Sequence, residues 1–552
     1  MFVVFEGIDG GGKTTLSNLV ATLLRERGRA VEHVREGGKF ASRVTQAMRE
    51  LGRDARNLAM TPRAELMMYL TREIQLLEEA TRPALARADV VIADRYVYTA
   101  QALAVYGRGM AAADVEPVVA AAAGGLIPEL VVLVDVDPHV ARARRRVSKL
   151  LAPDDQAPSR KGLAGTALQL RLRDGYRALA AREPARWIVV DNTEAELHAV
   201  AHALADAIDQ ARQHRAAPAL AIPAPPPALR ATDLASARAA LVAWCDRRAP
   251  REPALAAYVL EGLAGEAFAA RRRELATRAP VGVAAGLRWL DDDDSWQLRR
   301  GLLAAAPAQI ALSLASPAGL RVDGTELLHA LLPVAPREVA AALHGRDDAD
   351  AWALRDAMPL ALVIRALGGV PGPRAWALRE QWLGAHGGLA HVADVATATV
   401  ACEAVDGIAD DLAWSWRKGL RELAPVAALA SLVGVDDERA WKWRARYVER
   451  APKVVMRTLG QSIDTRAWAL RARVADHCEE TFDSLLGLDT AEAWHLREAG
   501  LARWPWAVVK SLGAQIATAR GRALVAEAFA RAPTSLALWR QALLTDQRWA
   551  AR

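Results

Sequence analysis

The stretch Gly7-Ile8-Asp9-Gly10-Gly11-Gly12-Lys13-Thr14 has the spacing GxxxxGK[ST], and its residue types are those that handle phosphate. Glycines let successive backbone N–H groups curl around phosphate oxygens, and a helix opening at the end of the run adds partial positive charge. Lys13 is long enough to reach the β- and γ-phosphates of a nucleoside triphosphate, and the Thr14 hydroxyl can ligate Mg2+. Thr15 follows in the first helical turn. A glycine-rich turn without a ligand would need neither the lysine nor the threonine. Residues 7–15 are therefore expected to bind a nucleoside triphosphate.

A second group lies in VIADRYVYTAQAL, where Asp94, Arg95 and Tyr96 close an apolar run. Asp94 could bind Mg2+ directly or through water, and Arg95 could hold a second phosphate. The bland reading of the pair is an ion pair closing a strand. Downstream, Arg142–Arg146 and Arg160 flank a Pro/Asp/Ser-rich break, and RARRR also reads as a solvated helical face. His198 and His202 are four apart on a helical pattern with no third ligand nearby, which argues against a metal. Asp291–Asp294 precede a helix and read as an N-cap and turn cluster.

These residues need a scaffold, and the chain supplies two grammars. From Met1 to Arg212, FVVFEG, AVEHVRE, DVVIADR, ELVVLVDV and RWIVVDN alternate with helical stretches. That alternation predicts a parallel sheet with helices on both faces. In an open sheet of this kind ligands gather at the carboxyl ends of strands, where both groups sit. Residues 213–230 contain AAPALAIPAPPPAL, which reads as a semi-rigid linker. Residues 231–552 hold 16 of the 17 tryptophans and repeat a short tag. AWALR stands at 351–355, 375–379 and 467–471, with relatives SWQLR, AWSWR, AWKWR and AWHLR. Trp414, Trp441, Trp468 and Trp494 are 26–27 residues apart, and AFAAR at 267–271 places Phe268 at the tryptophan position one unit before Trp296. A helix pair this short cannot bury its apolar face alone, so stacked copies must share a core. The second half is expected to be an all-α solenoid of short helical-hairpin repeats.

Composition narrows the class. Hydrophobic residues make up 52% of 552 residues, too many for a disordered chain. Cys245, Cys402 and Cys478 are far apart and form no CxxC, which argues against a disulfide framework or zinc site and fits a reducing compartment. No leader precedes FVVFEG and no apolar stretch reaches the length of a membrane span, so a cytoplasmic, membrane-free setting is expected. The net charge of +6 is too small at this length to argue for nucleic acid.

FEGIDGGGKTT, VREGG (34–38), RPALARADVVIADRY, YGRGM (106–110) and LRDGYRALAAREPARWIVVD (172–191) fall in the order and spacing of the thymidylate kinase family, which residues 1–210 resemble. The resemblance implies an α/β P-loop NTPase domain that moves the γ-phosphoryl of Mg·ATP to a deoxynucleoside 5′-monophosphate, dTMP above all. It implies that Asp9 contacts the sugar 3′-hydroxyl, Arg95 holds the acceptor phosphate, Arg72 bonds the base, and Arg35 helps position the acceptor or the moving group. Arg142–Arg146 and Arg160 resemble the family's mobile lid. The P-loop has no arginine, so a lid arginine such as Arg160 is the expected catalytic cation. Acceptor-reading positions have drifted: Met68 stands where the family stacks an aromatic ring, with Tyr69 beside it. Thr99 takes the serine position after DRY, and Leu103 replaces a tyrosine near the sugar. Arg35-Glu36-Gly37-Gly38 lacks the family's proline, and Ser159-Arg160-Lys161-Gly162 lacks the lid's acids. The drift leaves open an acceptor with a modified pyrimidine, or a nucleotide-binding scaffold with a weak kinase. Family members are usually homodimers through this domain.

In Ala-Trp-x-Leu-Arg the alanine and leucine share one helical face, and the tryptophan and arginine another. The expected arrangement puts Ala and Leu inside their own unit and Trp against the next unit, with Arg over its ring. An exposed Trp/Arg ladder stacking on single-stranded nucleic acid, or a concave surface for a protein partner, are the alternatives.

Overall fold

The computed structural model describes residues 1–35, 42–152, 160–194, 196–214, 226–315 and 322–550. The chain divides into two compact units, residues 1–145 with 158–228, and residues 229–552 with 146–157. The Pro/Ala stretch of the expected linker lies mostly outside the described residues.

In the first unit each expected apolar run forms a strand: β1 Phe2–Glu6, β2 Val31–Arg35, β3 Val90–Asp94, β4 Leu130–Asp135 and β5 Trp187–Asp191. All pair in parallel, in the order β2-β3-β1-β4-β5. Every residue of β1 and β4 is buried, which is why these strands are apolar without alternation up to their terminal carboxylates, Glu6 and Asp135. Helices α1 (Lys13–Glu26) and α9 (Leu197–His214) bury Leu16, Val20, Leu24, Val200, Leu204 and Ile208 against Val3, Phe5, Ile92 and Val132. Each such side chain contributes roughly 1.5–3 kcal/mol. Parallel pairing brings Phe5 level with Asp94, so the residues that follow β1 and β3 leave the sheet together. Helices α2 (Arg43–Arg53), α3 (Pro62–Leu76), α4 (Arg82–Arg87), α5 (Val97–Ala102), α6 (Ala112–Ala123), α7 (Pro138–Leu151) and α8 (Gly165–Arg182) complete the α/β architecture.

The second unit is a run of helix pairs. Where the tag occurs it lies on the first helix of a pair, such as Asp411–Leu420, and a short second helix such as Pro425–Ala430 follows; the first helix Val322–Leu331 carries no tag. Proline opens many of the short helices, at Pro253, Pro280, Pro307, Pro336, Pro425, Pro452 and Pro505. There its missing N–H would be unbonded anyway. Successive short helices pack closely on one another, while the tag helices stand further apart, so the short helices form the concave side.

The array does not end in two free faces. Its last α-helix, Leu536–Thr545, packs on its first, Leu234–Arg248. Arg540 donates to the carbonyls of Val259 (2.9 Å) and Glu261 (3.0 Å), and pairs with the Glu261 carboxylate at 3.0 Å. Gln547 and Ala264 exchange two hydrogen bonds of 3.0 Å, and the Ala231 N–H donates to Pro533 O at 2.8 Å. The expected stack of repeats is thus closed on itself, and its ends cap each other where an open array needs special capping units.

The tag arginines hold the units together in a way that their spacing does not announce. Arg417 is wholly buried, and among the described residues its guanidinium bonds a hydroxyl and carbonyls. Its Nε donates to Ser431 Oγ (2.8 Å), Nη1 to Ile408 O (2.7 Å), and Nη2 to Val405 O (2.7 Å) and Ser431 O (2.9 Å). Val405 and Ser431 are the C-caps of the preceding helix and of its own short helix, where helix dipoles end negative, and Ile408 lies in the loop just beyond the first of them. Burial lowers its pKa to about 10, still charged at neutral pH. Arg299, Arg355, Arg379, Arg444, Arg471 and Arg497 repeat the arrangement. This clamp corrects one register. Arg272 bonds the carbonyls of Leu260 and Leu263, as Arg299 bonds those of Leu287 and Leu290. Arg272 is then the tag arginine, and Phe268 falls one residue short of the tryptophan position.

Trp414 lies between Arg417 of its own helix (5.2 Å) and Arg439 of the next unit (4.8 Å), with its indole N–H on Asp437 at 2.7 Å. Trp296, Trp414, Trp441 and Trp494 are buried, and Trp352, Trp376 and Trp468 are half-buried, so the tag rings pack against the array instead of standing free of it. Asp292 caps its helix through the Ser295 N–H, and Asp291 accepts from Trp296 Nε1, which accounts for the aspartate run as a cap. No helix among the described residues is long and apolar enough to cross a membrane.

Candidate active site

The loop after β1 is shaped by glycines at two tight points. Gly7 has φ 137°, and a Cβ there would lie 2.5 Å from Val134 O, so only glycine lets the chain pass β4. Gly12, at φ 88°, is the N-cap of α1, and its Cβ would lie 2.4 Å from Asn192 Nδ2. Asn192 fixes the loop by donating to Gly11 O at 2.6 Å, and its own N–H is held by Asp135 O at 2.7 Å. The Asp9 N–H donates to Gln169 at 3.3 Å.

Lys13 opens α1 and is only 6% exposed. Its ammonium donates back to Ile8 O at 2.8 Å, so it lies along the inside of the loop. Burial and the neighbouring Arg95 charge lower its pKa to about 8, against the opposing pull of Asp9, Asp94 and Glu6. Thr14 Oγ1 donates to Asp94 Oδ2 at 2.5 Å, which joins the end of β3 to the start of α1. A hydroxyl and a carboxylate at this separation are a hard-oxygen donor set of the kind Mg2+ takes beside phosphate. No cluster of three or more His, Cys, Asp or Glu able to hold a metal by itself occurs among the described residues, and His198 and His202 lie on α9.

Arg95 is the hub. Its backbone is left-handed at φ 86°, rare for a residue with a Cβ. Its Nη1 donates to Gly7 O (3.1 Å), Thr99 Oγ1 (3.1 Å) and Tyr176 OH (3.3 Å), and its Nη2 pairs with Asp9. Burial works against its charge, but Asp9, Tyr176, Glu6 and Asp94 outweigh that and hold the guanidinium above its ordinary value. Glu6, at the end of β1, is fully buried and accepts the Tyr96 N–H at 2.9 Å and the Thr99 hydroxyl at 2.7 Å. Burial raises its pKa, partly offset by Arg95 and those two bonds. Asp135 at the end of β4 accepts from Arg173 (2.7 and 2.9 Å) and Arg177 (2.6 Å).

The structure thus brings Asp9, Lys13, Thr14, Asp94, Arg95 and Thr99 into one constellation at the carboxyl ends of β1 and β3. The other expected residues stand around it. Arg35 is exposed and pairs in register with Asp94, and residues 36–41, with the rest of VREGG, lie outside the described residues. Met68 and Arg72 sit on α3, where the Arg72 guanidinium lies 4.7 Å over the Tyr69 ring. Leu103 is buried, close to Gly107. On α7, Arg142 donates to Thr166 (2.7 Å), Arg144 to Asn192 O (3.1 Å), and the stem of Arg145 lies beside Gly10. The Arg160 side chain lies outside the described residues. Sequence reasoning passed over Glu6, Tyr176 and Asn192. Glu6 carried a signal, a carboxylate in a strand otherwise wholly apolar. Tyr176 and Asn192 carried none beyond their places in the quoted segments.

Residues 5–202 match the family model described as Thymidylate kinase. A thymidylate kinase from Trichlorobacter lovleyi is 38% identical over 210 residues, a match covering 38% of this chain and 96% of that protein. One from Solidesulfovibrio magneticus is 38% identical over 192 residues, covering 35% of this chain and 90% of that protein. A crystal structure of thymidylate kinase from Ehrlichia chaffeensis is 24% identical, with a TM-score of 0.27, covering 35% of this chain and 90% of that one.

Proposed function

The chain belongs to the thymidylate kinase family, whose members are nucleoside monophosphate kinases, and from that premise we propose that it phosphorylates dTMP to dTDP with Mg·ATP. An oxygen of the acceptor phosphate attacks the γ-phosphorus, the bond to the β-phosphate oxygen breaks, and ADP leaves. The loop N–H groups and Lys13 hold the donor phosphates, with Thr15 in the same first turn. Thr14 and Asp94 would hold Mg2+, which supplies charge neutralisation at the donor phosphates when bound. Arg95 grips the acceptor phosphate, Asp9 takes the sugar 3′-hydroxyl and Thr99 orients Arg95. Arg35, Met68 and Arg72 position the acceptor and its base, and Arg160 with the arginines of α7 closes over the moving phosphoryl.

The observation that supports this reading best is the Lys13–Thr14–Asp94 grouping beside Arg95, which is already bonded to Asp9 and Gly7 O. It gives one site for donor phosphates and one cation for an acceptor. The test is Mg·ATP-dependent diphosphate formation by the full chain with dTMP, dUMP, dCMP and 5-substituted deoxyuridylates, using Lys13→Ala as the blank. Turnover with dTMP above that blank is expected. ATP binding without turnover on any acceptor would leave the second reading, a nucleotide-gated scaffold, which Met68 and the buried Leu103 favour. In either case the closed repeat array serves as a platform for a protein partner. The catalytic unit dimerises in the cytoplasm, as light scattering and cell fractionation would check.

A further inference from the structure

We propose that Glu6 is a positioning residue for the acceptor phosphate, acting through the Arg95–Thr99 turn; this rests on the kinase reading above. Arg95 is a non-glycine residue in left-handed conformation, which persists only where the surroundings over-determine it. Two consecutive residues of β1 do so. The Arg95 N–H donates to Phe5 O at 3.0 Å, and the next N–H, of Tyr96, donates to Glu6 Oε1 at 2.9 Å. The strained residue is therefore pinned on both sides by one strand.

The other carboxylate oxygen controls the Arg95 side chain. Glu6 Oε2 accepts the Thr99 hydroxyl proton at 2.7 Å, which leaves the Thr99 oxygen free to accept from Arg95 Nη1 at 3.1 Å. Tyr176 OH, 3.0 Å from the same oxygen and 3.3 Å from Nη1, completes the cradle. An ionised carboxylate only accepts hydrogen bonds, so it fixes the direction in which Thr99 donates. A glutamine could still accept the Tyr96 N–H, but its amide would donate to Thr99 and turn the hydroxyl proton toward Arg95. Glu6 is wholly buried, and its own hydrogen bonds go to Tyr96 and Thr99. Strand closure alone would be met by a neutral side chain without burying charge. What the carboxylate adds is the polarity of the Thr99–Arg95 link.

The experiment uses the full chain with Glu6→Gln, Glu6→Asp, Thr99→Val and the Glu6→Gln/Thr99→Val double variant. It measures kcat and KM for dTMP and for ATP, dTMP affinity by calorimetry, and thermal melting. For Glu6→Gln, kcat/KM for dTMP and dTMP affinity are expected to fall roughly 10- to 100-fold, the effect of one lost buried hydrogen bond to a charged group. KM for ATP should stay within about 3-fold, because the bonds of Lys13 and the loop are untouched. Glu6→Asp restores an acceptor-only group and should recover part of the loss. Thr99→Val should imitate Glu6→Gln, and the double variant should be no worse than either, since both break one relay. Unchanged dTMP parameters in Glu6→Gln, equal losses for ATP and dTMP, or additive losses in the double variant overturn the inference while wild-type turnover keeps the kinase reading. A wild-type chain that neither binds nor phosphorylates any monophosphate overturns both.

Discussion

Replacing Arg417 by methionine should destabilise the helical-repeat unit by about 3 kcal/mol, although methionine fills similar space and removes a buried charge. Arg417 makes four hydrogen bonds of 2.7–2.9 Å, to Ser431 Oγ and the carbonyls of Val405, Ile408 and Ser431. At about 1 kcal/mol net each they contribute about 4 kcal/mol, and the Trp414 ring 5.2 Å away adds about 0.5–1 kcal/mol. Relief of guanidinium desolvation returns about 2 kcal/mol, on the scale of buried ions in proteins. The balance stays unfavourable because the carbonyls remain in a dry interior without donors. Arg417→Lys should cost about 2 kcal/mol, since an ammonium keeps the charge but cannot fork to two helix ends. Urea unfolding followed by tryptophan fluorescence is the assay, because 16 of the 17 tryptophans lie beyond Arg230 and the signal reports on this unit. A midpoint for Arg417→Met equal to or above wild type would refute the reasoning. The arginine would then resemble buried ion pairs that apolar residues replace without loss, and the clamp would not hold the units together.

Three predictions concern the catalytic unit. Lys13→Ala should lower kcat by about 10²- to 10³-fold, the usual loss of a cation aimed at transferring phosphate, with melting little changed. The Lys13 pKa of about 8 lies below its ordinary 10.5, so the free enzyme loses this proton as pH rises through 8. kcat/KM for ATP should therefore fall above about pH 8, and a profile flat to pH 9.5 would show that another group governs binding. By linkage the folded state holds fewer protons than the unfolded one between pH 8 and 10.5, so the contribution of Lys13 to stability rises with pH there. Arg95→Lys should raise KM for dTMP by roughly 10- to 100-fold, since one ammonium cannot reach Gly7 O, Thr99, Tyr176 and Asp9 together. Steady-state kinetics with dTMP varied check it.

Much of the catalytic unit could be read directly because its signals are local. Strands buried on both faces run apolar without alternation up to their last residue, so VVIAD and LVVLVD announce themselves, and the glycine loop needs its lysine and threonine at fixed offsets. What escaped reading depends on partners far apart in the chain. Glu6 acts on Tyr96 and Thr99 about 90 residues away. The three-residue spacing is enough to put the tag arginine over its tryptophan, but its bonds run to carbonyls, which every residue has and no spacing can single out. Side-chain type alone puts Phe268 at the tryptophan position, whereas the carbonyl clamp on Arg272 sets the register one residue later. Closure of the array was invisible for the same reason, being made largely by backbone groups.

Closure itself makes a prediction that an open stack of repeats would not. In an open array each unit touches only its neighbours, so weakening the last helix should leave the first one unaffected. Here Arg540 and Gln547 bond to residues 259–264, some 280 positions earlier. An Arg540→Ala/Gln547→Ala variant loses five hydrogen bonds, several half-exposed, at a net cost of about 2–3 kcal/mol. That loss falls on the seam, and both ends of the array should fray. Hydrogen exchange is the appropriate readout because it resolves local opening. Amides of the helix Leu234–Arg248 and of residues 253–264 should exchange about 30- to 150-fold faster, together with those of Leu536–Thr545, while the Arg417 and Arg444 units stay protected. Faster exchange confined to residues 530–550 would mean that the seam carries no load. The array would then behave as an open solenoid whose ends merely touch.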